Sequence, residues 1–221
     1  MSSSVGMTPG PSPALEALLA GAPGRISMRM GIDVDGGPRE VERWFLGASL
    51  IGTRISVSIV IRTYRVLDAH GISEIGRVRG CRRSRLIRLL DEGGYTRYDE
   101  RTATRLGQLA ETVGQRFPNG IHAWGVSVRS MHGLTVELDA LPGWGPVTVH
   151  AFLRELRGTW PGVRMQPEPR ATLGARRAGL LGAQQRLTEK RLRSWAVASG
   201  RDIRDVESAL LSGSRAVSTL R

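Results

Sequence analysis

The stretch Leu138-Asp139-Ala140-Leu141-Pro142-Gly143-Trp144-Gly145-Pro146-Val147-Thr148-Val149 constrains the fold more than any other part of the chain. Two glycines flank a single residue between apolar-periodic runs. A proline, favoured at the first position of a helix, follows directly. The spacing predicts two helices, Thr135–Ala140 and Pro146–Leu156, joined by a tight hairpin. Such a turn leaves the N–H groups of Gly143, Gly145, Val147 and Thr148 without helical partners. The helix dipole adds partial positive charge there, which makes a phosphate oxygen a natural ligand. Glycines selected only for their backbone angles account for the same residues, so the turn alone leaves both readings open.

The remaining chain reads as helices with short connections. Val41, Trp44, Phe45, Ala48 and Ile51 recur at three- and four-residue spacings over Arg39–Ile51, after Pro38. Val57, Val60, Ile61, Tyr64 and Leu67 do the same over Ser56–Ala69, which stops at His70-Gly71. Further helices are expected over Ser84–Asp91, Asp99–Val113 with Asp99 as N-cap, Ala171–Ser199 with a break near Gly182, and Asp202–Leu211. Phe117–Val126 and Gly158–Pro169 read as loops. No alternating apolar run demands a sheet and no repeat of fixed period is visible, so the expected class is all-α. Residues 1–24, rich in Ser, Pro and Gly, read as a flexible tail with a short helix at Ala14–Ala20, ahead of one domain over 25–215.

The net charge of +12 points to a polyanionic partner or to a basic surface with no partner. Six arginines, Arg77, Arg79, Arg82, Arg83, Arg85 and Arg88, fall within twelve residues with no acid between them. They suit the tracking of phosphates, or a solvated helix face. The single cysteine, Cys81, excludes a disulfide within the chain, a Cys-based zinc site and an iron–sulfur cluster held by this chain alone, and reads as a small packed or half-exposed thiol rather than a nucleophile. His122, His132 and His150 lie on no metal-ligand spacing, and no cofactor is expected. No apolar run approaches the roughly 20 residues of a membrane span, and no export signal opens the chain, so a cytoplasmic monomer is expected.

The hairpin LPGWGPVTVHAFL resembles the helix-hairpin-helix of the DNA glycosylase superfamily typified by endonuclease III. WFLGASLIGTRISVSIVIRTYRVL is similar to that family's early helix pair, and GGYTRYDERTATRLGQLAETV to its middle segment, so the resemblance spans Val41–Leu156. It implies two helical lobes with DNA held between them and the hairpin clamping a backbone. It also implies that Arg54, in the turn Thr53-Arg54, fills the gap left by a flipped base, although a helix cap would serve equally. Tyr95, Tyr98 and Trp124 then stand as base-pocket candidates or as ordinary core aromatics.

The departures from the family are specific. Its bifunctional members carry a lysine two residues beyond the second hairpin glycine, where this chain has Val147; the only lysine is Lys190. The family aspartate falls at Met165, and the nearest carboxylate is Glu168, just before an expected helix start. Glu168 is thus either a displaced catalytic carboxylate or an ordinary helix-terminal one. Three functions follow: a double-stranded DNA binder without catalysis, a monofunctional base-excision glycosylase using Glu168, and a basic scaffold for an acidic protein. The first is expected from the absent lysine and aspartate.

Overall fold

The computed structural model of the chain describes residues 10–52 and 55–214. Among them are α1 (Pro13–Ala20), α2 (Ile26–Met30), α3 (Pro38–Ser49), α4 (Val57–Ala69), α5 (Ile75–Arg79) and α6 (Arg83–Gly93). After these come α7 (Asp99–Arg116), α8 (Ile121–Ser127), α9 (Met131–Asp139), α10 (Pro146–Glu155), α11 (Pro169–Arg177), α12 (Glu189–Ser199) and α13 (Ile203–Gly213). The described residues contain no strand, and the all-α class expected from the sequence holds.

The chain divides into two compact units, a central one over Ile26–Arg164 and a terminal one that joins residues up to Arg25 with those from Met165 onward. The sequence suggests one domain over 25–215 behind a tail; instead α1 belongs to the terminal unit, where it packs on α13. Leu15 of α1 is buried in a cluster with Ala171, Ala175, Leu192, Val206 and Leu210. Burial of one leucine and the cap from Ser12 to the Leu15 amide (3.3 Å) give this short helix the anchorage its composition does not advertise.

The central unit is organised on α3, where every residue from Trp44 to Ser49 is buried. Trp44 donates its indole N–H to the Phe152 carbonyl of α10 (3.2 Å). Phe45 stacks on Trp144 of the hairpin at 4.6 Å between centroids, and Phe152 meets both rings edge-on. Such offset and T-shaped pairs add about 0.5–1.5 kcal/mol each beyond the area they bury. The hairpin is therefore held to the core through the residue between its glycines.

Two sequence expectations are corrected. Phe117–Val126 is not wholly loop: α8 forms directly after Pro118-Asn119-Gly120. Its N-terminus is served from α3, because the Glu42 carboxylate accepts the His122 amide (3.1 Å), a tertiary cap that local sequence does not reveal. Asp99 is the first residue of α7 rather than its cap; Tyr98 takes the N-cap position, and Asp99 Oδ1 accepts the Glu100 amide (2.7 Å). Between Ala171 and Ser199 the chain breaks after Arg177 and resumes at Thr188, whose hydroxyl accepts the Arg191 amide (3.3 Å).

Candidate functional site

The hairpin connects α9 to α10 through Ala140–Gly145. Gly143 has φ +75°, a left-handed conformation that only glycine adopts cheaply. A β-carbon there would also overlap the side chain of Arg105, which crosses the turn from α7. Gly145, the N-cap of α10, differs on both counts. Its φ of −167° is extended backbone open to any residue, and no described residue other than its chain neighbours lies within 4 Å of where its β-carbon would be. The fold requires glycine at 143 and does not require it at 145.

The amides of Gly143, Gly145, Val147 and Thr148 make no hydrogen bond among the described residues. Trp144 between them turns inward, 8 % exposed, with its indole N–H on Ser49 Oγ (3.1 Å). Thr148 is buried, and its hydroxyl donates to the Ile51 carbonyl (3.0 Å), tying α10 to the end of α3. Val147, where the resembled family's bifunctional members carry lysine, is 49 % exposed. The turn thus presents main-chain donors at a ten-residue helix's N-terminus while its side chains lock it to the core.

The arginine-rich stretch belongs to the same unit, on α5, α6 and the turn between them, and all six side chains are exposed. Arg79 pairs with Glu111 through two contacts (3.0 and 3.2 Å). Arg83 donates to Thr104 Oγ1 (3.3 Å), with Glu100 at 3.8 Å, and Arg85 donates to the His70 carbonyl (3.1 Å). The side chains of Arg77, Arg82 and Arg88 have no partner among the described residues; the Arg82 carbonyl accepts the Cys81 thiol (3.6 Å). Arg54 lies outside the described residues.

Of the three aromatic candidates, two are brought together. Tyr95 and Tyr98 line a pocket of about 630 Å3 that also reaches Gly143. Tyr95 is only 2 % exposed and donates its hydroxyl to the Leu50 carbonyl; burial pushes that phenol above its ordinary range. It shapes the wall more than it offers a ring face. Trp124 stands apart in a cluster with Phe117 (4.8 Å) and Trp160 (6.0 Å). Sequence reading missed Arg101 and Arg105 of the same pocket, although their four-residue spacing on a helix places them on one face.

Glu168 and Met165 belong to the terminal unit. Glu168 occupies the N-cap position of α11, its amide donating to the buried Glu207 carboxylate (2.8 Å), and its side chain forms no cap bond. Met165, at the family's aspartate position, is buried. Among the described residues no cluster of three or more His, Cys, Asp or Glu is placed to hold a metal, and no helix is long and apolar enough to cross a membrane. No protein-family model matches the chain, and no curated protein matches it.

Proposed function

We propose that this protein binds double-stranded DNA, including damaged or branched duplexes, through the hairpin amides and the arginine-rich face, and that it does so without catalysis. One observation carries the reading. Among the described residues the amides of Gly143, Gly145, Val147 and Thr148 are uncommitted at the start of α10 and the space before Gly145 is open, although the fold does not ask for glycine there. An anion fits such a terminus because N–H groups and helix dipole act together. Arg82, Arg83 and Arg85 on the same unit add sequence-independent attraction to phosphates through counterion release. Neither the lysine nor the aspartate that would perform glycosylase chemistry in the resembled family stands at its position.

The test is duplex binding by Gly145→Asp. An aspartate N-cap would accept the Val147 or Thr148 amide itself and place its charge where the phosphate is meant to sit. Duplex affinity should fall by about tenfold or more, near 1.4 kcal/mol, in a protein whose helix content is unchanged. Retained affinity in the folded variant removes the hairpin from the interface.

A further inference from the structure

The pocket beside the hairpin is lined by Tyr95, Tyr98, Arg101, Thr104, Arg105 and Gly143 among others, and among the described residues no aspartate or glutamate lines it. Two guanidiniums from successive turns of α7 therefore share a cavity whose described lining residues carry no counter-charge. Arg105 is mostly buried and donates to the Ser49 carbonyl (3.1 Å); no carboxylate pairs with it among the described residues. A guanidinium carries five N–H donors, so one carbonyl leaves most of the fork uncommitted. Burial holds Arg105 below its ordinary range; the neighbouring Tyr95 works against this and the like charge of Arg101 reinforces it. Arg101 is exposed and has no partner among the described residues. Buried or crowded cations in folded proteins are normally paired, and a planar fork matches the oxygens of a phosphate. Thr104 links this wall to the arginine-rich face, since its hydroxyl accepts from Arg83 (3.3 Å).

We infer that the pocket binds a phosphomonoester, its dianion held by Arg101 and Arg105. The choice of source rests on the DNA-binding reading above: the phosphorylated end of a DNA strand arriving beside the hairpin. A cavity of about 630 Å3 is of the size that encloses a small molecule or a strand terminus. Tyr98, with Arg97 over its ring at 5.9 Å, lines the same pocket and offers an aromatic surface to an attached nucleoside.

The whole chain is titrated by fluorescence anisotropy with one duplex carrying 5′-phosphate, 3′-phosphate or hydroxyl ends at fixed salt. Phosphorylated ends should bind about fivefold tighter than hydroxyl ends, as expected for added charge-assisted bonds. The preference should vanish in Arg101→Gln, an exposed side chain with no partner among the described residues, while thermal unfolding stays unchanged. Arg105→Lys, which keeps the charge and loses the fork, should weaken the preference in any preparation that folds. Equal binding of phosphorylated and hydroxyl ends by the wild type overturns the pocket assignment and leaves duplex binding through the hairpin standing. A second arm uses 2′-deoxyadenosine 5′-phosphate and inorganic phosphate in calorimetry. Saturable binding that Arg101→Gln abolishes, in a chain that binds no duplex, upholds the phosphomonoester site with a free nucleotide as its source and overturns the DNA reading. Failure of every phosphorylated probe overturns both.

Discussion

The stem of Arg105 lies over Gly143, in the space that a β-carbon at that position would need. The same guanidinium reaches the Ser49 carbonyl at the end of α3 (3.1 Å), while Ser49 Oγ receives the Trp144 indole (3.1 Å). Four residues from three separate segments thus fix one turn. The left-handed backbone of Gly143 is a requirement of this arrangement, whereas Gly145 sits outside it, extended and open.

The two hairpin glycines should therefore part company on mutation. Gly143→Ala is expected to cost about 1–3 kcal/mol, from the left-handed φ and the displaced arginine. Gly145→Asp should keep stability or raise it by up to about 1 kcal/mol, since it supplies the side-chain cap that α10 lacks, even as it weakens duplex binding. Chemical denaturation of both variants alongside anisotropy reads the two effects separately. Equal destabilisation by both would show that Gly145 has a structural duty not evident in its surroundings.

Binding should be electrostatic and largely indifferent to base sequence. If six to eight phosphates are neutralised, log affinity falls with log salt at a slope of about −5 to −7. Reversing Arg82, Arg83 and Arg85 to glutamate should flatten that slope by about two units or more. A wild-type slope near zero would favour an acidic protein partner instead.

Trp124 and its neighbour Gly125 should behave as packing residues. A β-carbon on Gly125 would overlap the Trp160 indole, so Gly125→Ala is expected to cost about 1–3 kcal/mol by overpacking. Scanning calorimetry should register that loss, while duplex affinity of the folded fraction stays at the wild-type value. A specific loss of affinity without a loss of stability would return Trp124 to the binding site.

Acidification should weaken the central unit through His122. The Trp160 indole N–H donates to His122 Nδ1 (3.4 Å), which needs that nitrogen unprotonated, and burial lowers the imidazole pKa from its ordinary 6.5. Below that value the unfolded chain binds the proton more readily than the folded one, so stability is fully present above pH 6.5 and declines as pH falls towards the lowered folded value. Glu42, raised by burial from 4.5, has the opposite sign: stability declines as pH rises from there through its raised folded value. Comparing thermal unfolding of the wild type and His122→Gln on either side of pH 6.5 isolates the histidine. The wild type should lose more on acidification; identical losses would remove His122 as the cause.

No base release is expected from duplexes carrying uracil, alkylated purines or oxidised bases, and no strand cleavage by a Schiff base. Val147 stands at the lysine position and buried Met165 at the aspartate position of the resembled family. Gel assays of wild type and Glu168→Gln decide the matter. Release by the wild type that Glu168→Gln abolishes would make the protein a monofunctional glycosylase with a displaced carboxylate. Release that survives the substitution would place the chemistry on another residue.

Features fixed by local chemistry are legible in the sequence alone. Apolar spacing marks α3, α4, α7 and α10, and the glycine–proline punctuation marks the hairpin within a residue or two, because helix periodicity and turn angles are properties of neighbouring residues. The short helices α2, α5 and α8 escaped, since five to seven residues carry too little periodicity and α8 takes its N-terminal acceptor from Glu42, far away in sequence. Tertiary structure alone decided which of the two hairpin glycines the fold needs, because that depends on α7 sending Arg105 across the turn. It also separated Trp124 from Tyr95 and Tyr98, and gathered Arg101 and Arg105 into a cavity whose described lining residues include no acid. The four-residue spacing of those arginines is written in the chain; the missing counter-charge around them is a property of what packs nearby, which only the folded arrangement sets.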